Sequence, residues 1–152
     1  MAKISTMKKA KTQILLLLTV ASMMAVSNAC KKSSSSGSAI TKENLQGSYT
    51  LTAVSVTIPP FPAQSVLDSV PACQRDNIIK LNLDLTMQNI DAGTKCVPPA
   101  DFASTWSLSG NSITVDTLSG TIKNFDGKTL VIESPVSFNG ISGTSTETFT
   151  KQ

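Results

Sequence analysis

From Leu45 onward, apolar side chains recur at alternate positions in short runs, and the runs are separated by Gly, Pro, Asn, Asp or Ser. A period of two marks a strand with one buried face, and those residues mark the turns between strands. The clearest run is 79–85, where Ile79, Leu81, Leu83 and Leu85 alternate with Lys80, Asn82 and Asp84. The first run, 45–51, places Tyr49 and Leu51 on one face. Near Ala53 the apolar phase moves to Val54, Val56 and Ile58, which predicts a bulge or bend. Pro59, Pro60, Pro62 and Pro71 then make 58–72 an irregular loop with at most a short turn near 64–69, because proline cannot donate to a ladder.

The remainder reads the same way. Asp84-Leu85-Thr86 predicts a turn into a short strand over 87–91, which leads through Gly93 to Cys96 and a break at Val97-Pro98-Pro99. Trp106 and Leu108 share one face of a strand over 102–108, and Ile113 and Val115 share one face of a strand over 112–117. Turns are expected at 109–111 and at 118–120, followed by a strand over 121–125. Asp126-Gly127 is a two-residue hairpin signal, since both positions tolerate positive φ. Strands over 129–136 and 142–151 flank a further turn at Asn139-Gly140. About eight short antiparallel strands joined in sequence predict an all-β fold, an eight-stranded up-and-down barrel, because closure removes exposed edges. A β-sandwich is the alternative.

The N-terminal part follows a different pattern. Lys8, Lys9 and Lys11 precede an apolar run, Ile14 to Val26, of thirteen residues. That is short of the roughly 20 residues a membrane-spanning helix needs and matches the apolar segment of an export signal. Small residues, Ser27-Asn28-Ala29, then precede Cys30, and the order argues against a buried core helix. The segment resembles a bacterial lipoprotein signal, in which the cysteine becomes the acylated N-terminus. It departs from the usual pattern in having Ser27 where Leu is common three residues before the cysteine. The expectation is a signal over 1–29, a lipid-anchored Cys30 with a flexible serine-rich tether over 30–40, and one domain over 41–152. Cleavage after Ala29 to give a secreted protein is the alternative.

Charge and cysteine count narrow the function classes. Of 13 basic residues, four lie in the leader and two in the tether. The domain keeps seven against ten acids, so nucleic-acid binding has no electrostatic support. With Cys30 lipidated, Cys73 and Cys96 remain, and an exported chain meets an oxidising compartment, so a Cys73–Cys96 disulfide is expected. Two thiols with no histidine are too few for a metal site, and their spacing is unlike that of a redox pair.

Several pieces together carry a resemblance: Leu45, Gly47 and Tyr49 in an opening L-x-G-x-[WY]; Cys73 followed by Asp76 and a strand; Cys96; Trp106, Leu108 and Gly110 in W-x-L-x-G; and a terminal ETFTK strand. On these, residues 45–151 resemble the small lipocalin-like lipoproteins of Bacteroidetes-type bacteria. The resemblance implies a lipocalin-like barrel. It does not imply a known ligand. By analogy with such bacteria, the absence of acids after Cys30 points to the periplasmic face of the outer membrane, with the cell surface as the alternative.

Candidate chemistry is sparse. No histidine means no Ser-His-Asp triad, and no phosphate-binding glycine loop is present. The acids are scattered and lie mostly at turns, where carboxylates cap backbone N–H groups. The reading is therefore non-enzymatic, with no cofactor and no metal. Candidate cavity-lining residues are Tyr49, Leu51, Leu81, Leu83, Trp106, Leu108, Ile113 and Val115. They would hold a small apolar or amphipathic ligand, although for Tyr49 and Trp106 packing at the barrel floor is the favoured reading. The alternative function is an interaction protein with a filled barrel, whose loop 58–72 offers Phe61, Val66, Leu67 and Val70 to a partner. Asp68-Ser69-Val70 and Asp116-Thr117-Leu118 resemble the O-glycosylation tripeptide of exported Bacteroidetes proteins.

Overall fold

A computed structural model describes residues 37–152 of the chain. The expected signal, Cys30 and most of the tether lie outside the described residues. Nine strands follow in order: β1 (Gly47–Thr57), β2 (Gln64–Ser65), β3 (Ile78–Leu81), β4 (Thr86–Ile90), β5 (Phe102–Ser109), β6 (Ser112–Val115), β7 (Leu118–Phe125), β8 (Thr129–Phe138) and β9 (Ile141–Lys151). Each of β3 to β8 pairs antiparallel with the next strand, and β1 pairs with both β3 and β9. The sheet therefore closes into an eight-stranded up-and-down barrel, and the sandwich alternative does not form.

β2 is the extra strand. β9 occupies one edge of β1 from Tyr49 to Thr57. The other edge is shared: β3 pairs with Gly47–Thr50, and β2 pairs with Ser55 and Val56. The short β3 leaves the rest of that wall to residues 66–77, which contain a 3-10 turn (Leu67–Ser69) and a one-turn helix (Ala72–Arg75).

Strand direction gives the barrel two unlike ends. One end gathers the N-terminal one-turn helix Lys42–Leu45 and the turns 82–85, 110–111 and 126–128. It is plugged. Thr41 Oγ1 accepts from Asn44 N (3.3 Å) to cap the helix, and Leu45 is driven in to 0% exposure. Tyr49 Oη donates to the Leu45 carbonyl at 2.7 Å, and Trp106 Nε1 donates to the Asn82 carbonyl at 2.7 Å. Both rings thus bury their bodies while their polar atoms are satisfied. Trp106, Ile122, Phe125 and Leu130 fill this half.

The expected bulge in β1 is present, as a register shift between Leu51 and Ala53. Asn139 and Gly140 both have positive φ (49° and 79°), as a tight hairpin of that type requires. Two expectations need correction. The run 79–85 is not one strand: β3 ends at Leu81, and residues 82–85 turn, with Leu85 at φ 69° and the Asp84 carboxylate accepting from Thr86 N (3.0 Å) and Thr86 Oγ1 (2.7 Å). Leu118-Ser119-Gly120 is not a turn but the start of β7. The turn is Asp116-Thr117, with Asp116 at φ 55°. Gly120 serves close approach instead, since a Cβ there would meet the side chains of Ile132 and Ser134 on the adjacent β8.

Candidate functional site

Above the plug the barrel is not filled. A cavity of about 620 Å³ runs from Tyr49 and Phe149 up to the opposite end of the barrel. Its walls are mostly aliphatic, with Leu81, Met87, Ile113, Leu130 and Ile132 facing inward from four different strands. These are the inward members of the alternating pattern, and they are short enough to leave the centre open.

The structure brings together five of the eight sequence candidates: Tyr49, Leu51, Leu81, Ile113 and Val115 line the cavity. Trp106 and Leu108 do not line it. Trp106 is 2% exposed in the plugged half, and Leu108 packs against the same core. Their strand runs toward the plug, so the same inward face that meets the cavity higher up meets packed side chains here. Leu83 is 49% exposed, because it lies in the turn beyond β3.

The open end is built from the segment 66–77 and the β4–β5 loop, 91–101. The Cys73–Cys96 disulfide joins them, with the Cα atoms 5.1 Å apart. It lies beyond the ends of β3 and β4 rather than within the strands, so it braces the mouth of the cavity. Asp76 Oδ2 accepts from Thr94 N at 2.7 Å, a second bridge between the same two segments. Asp91, only 1% exposed, organises the loop: its carboxylate accepts from Cys96 N (3.2 Å) and Ala100 N (3.2 Å). Asn89 Nδ2 donates to the Ala100 carbonyl at 2.7 Å, and Lys95 Nζ donates to the Asp91 carbonyl. A buried carboxylate is stable here because backbone N–H groups surround it.

The rim is apolar. Phe61 (67% exposed) and Val97 stand on loops at this end, Leu118 (71%) on the first residue of β7 and Phe138 (66%) on the last of β8. Of the four apolar candidates in the loop 58–72, only Phe61 is exposed. Val66 and Leu67 are half-buried, and Val70 turns to the cavity mouth. Ser69 and Thr117, the two candidate glycosylation positions, are both exposed near this end.

Six polar side chains, Gln74, Asn77, Asn89, Asp116, Ser134 and Glu147, line the cavity, and none was read from the sequence as lining it. Asn77 is 8% exposed, lines the cavity, and its Oδ1 accepts no hydrogen bond among the described residues. Asp116 sits at the mouth and accepts from Ser104 Oγ at 2.6 Å, a bond that holds its carboxyl below the usual range. Glu147 projects inward from β9, and burial pushes its carboxyl up from its ordinary value, opposed by the neighbouring Ser145 hydroxyl. A signal for Glu147 was present: it lies two residues before the inward Phe149 on one strand and so shares its face.

Among the described residues, no three His, Cys, Asp or Glu side chains gather in a way that could hold a metal ion. No protein-family model matches the chain, and neither does any curated protein or solved structure compared with it.

Proposed function

We propose that the protein is a carrier that holds a small apolar or amphipathic molecule inside its barrel, in the bacterial cell envelope, anchored through a lipidated Cys30. One observation carries the reading: a barrel plugged at one end keeps an open apolar chamber of about 620 Å³ in its other half. An eight-stranded barrel is wide enough either to be filled by its own side chains or to hold one small ligand. This chain buries its largest rings, Trp106 and Tyr49, toward the plug and leaves aliphatic walls above. Chambers of roughly 300–1,000 Å³ with few polar groups are the usual size and character of small-molecule sites.

The rim supports the same reading, since Phe61, Val97, Leu118 and Phe138 offer an apolar molecule exposed surface at the entrance. The disulfide at the mouth suits an exported protein. The described chain begins at the plugged end, where Gly37 lies beside Phe125, so the proposed tether joins the barrel opposite the mouth. The interaction reading has less support, because Val66, Leu67 and Val70 do not form a patch with Phe61.

The test is uptake of an environment-sensitive apolar dye, read by energy transfer from Trp106, the single tryptophan. The carrier reading expects saturable uptake that Ile113→Trp, which fills the chamber, weakens by more than tenfold. Uptake that is non-saturable, or indifferent to Ile113→Trp, overturns it.

A further inference from the structure

The cavity's ionisable lining is one-sided. Among the described residues it presents two carboxylates, Glu147 and Asp116, and no lysine or arginine. Glu147 stands between Val54 of β1 and Ile132 of β8 in register, with Phe149 two residues along the same face. No described cation forms an ion pair with it. The ion pairs present are Arg75 with Asp68 and Lys123 with Glu133. Lys151 gives its ammonium to the Asn44 carbonyl, near the plug, and Lys95 gives its own to Asp91.

A carboxylate inside an apolar chamber is costly unless something neutralises it or donates to it. Asn77 also lines the chamber, but its unpaired Oδ1 is closed off from it and offers a ligand no contact. The Ser145 hydroxyl beside Glu147 is neutral, so a cation is the partner that would neutralise the carboxylate.

Resting on the carrier reading, we infer that the chamber selects amphiphiles with a cationic amine head, the head against the Glu147 carboxylate and the alkyl chain running down toward Tyr49 and Phe149. Asp116, ionised at the mouth, draws such a head inward. An anionic head meets two carboxylates and no cation. Fatty carboxylates and phosphate-headed lipids are therefore disfavoured, because like-charge juxtaposition carries a large penalty in a site screened from water.

The experiment is calorimetric titration of the full chain with dodecylamine, dodecanol and dodecanoate, which share a twelve-carbon skeleton and differ in the head. Dodecylamine is expected to bind at least about tenfold more tightly than dodecanoate, equivalent to about 1.4 kcal/mol. Glu147→Gln brings that ratio toward one. Asp116→Asn sits at the exposed mouth at a positive φ that Asn tolerates, and it lowers the ratio by about two- to threefold. Dodecanoate binding as tightly as dodecylamine, or a ratio unchanged in Glu147→Gln, overturns the inference while leaving the carrier reading intact. Binding of none of the three overturns both.

Discussion

Opening the Cys73–Cys96 bond should cost the domain a calculable amount. The bond closes a loop of 23 residues. The chain-entropy argument assigns such a loop about 11 cal/mol/K in the unfolded state, or about 3 kcal/mol at room temperature. A domain of the described size, residues 37–152, has an unfolding entropy near 240 cal/mol/K, so the loss corresponds to a fall in Tm of about 12 °C. The perturbation is the double variant Cys73→Ala/Cys96→Ala, with the reduced wild-type protein as its control. The assay is urea and thermal unfolding followed by Trp106 fluorescence, which reports from the plugged half. Asp76 and Asp91 still hold the two mouth segments, so the barrel should fold and the loss should not exceed the entropic figure by much. Hydrogen exchange should quicken first at the Cys96 and Ala100 amides, which Asp91 accepts from, and later in β8 and β9. A Tm within about 3 °C of wild type would refute the reasoning, since the loop would then be constrained as tightly without the bond. Complete loss of folding would refute it from the other side.

Other perturbations read other parts of the structure. Asp91→Ala leaves the Cys96 and Ala100 N–H groups without their acceptor and should cost about 2–3 kcal/mol in urea unfolding, with Asp91→Asn recovering part of it. Tyr49 is the only tyrosine, and burial pushes its phenol up to about 12. The folded state therefore keeps a proton that the unfolded chain gives up near 10. Stability should fall by roughly 3 kcal/mol between pH 10 and 12, and phenolate absorbance should appear only as the protein unfolds. Glu147 is raised by burial, so its folded form holds its proton more tightly than the unfolded chain does. Its contribution is full at low pH and is lost as pH rises through the folded value. Glu147→Gln should thus raise Tm at neutral pH and leave it unchanged at acid pH, and a variant less stable than wild type at neutral pH would contradict that placement.

The barrel was legible where period-two alternation coincided with a real strand: Trp106 and Leu108 on β5, Ile113 and Val115 on β6, and the phase change in β1. It misled at Leu83, where alternation continues past the end of β3; the turn expected at Asp84-Leu85-Thr86 is present but begins two residues earlier. There the Asp84 side chain captures Thr86, and Leu85 adopts a backbone conformation unusual for leucine. Gly120 was equally ambiguous, because glycine marks both turns and close strand contacts, and only the neighbouring Ile132 decides which. The four-residue helix Lys42–Leu45 is too short to carry a period, yet it plugs the barrel. The cavity itself depends on the height at which each inward residue sits. Trp106 and Ile113 share an inward pattern, but one falls in the plug and the other in the chamber. Glu147 shared the phase of Phe149, and its reading as one of many scattered acids concealed it.

The central claim is that the chamber holds a molecule, and native mass spectrometry of the protein purified gently from an exporting bacterial host tests it most directly. The account predicts a reproducible added mass of one small amphiphile, lost on denaturation and absent from Ile113→Trp. A bare protein mass that stays bare after incubation with excess alkyl amphiphiles would contradict it.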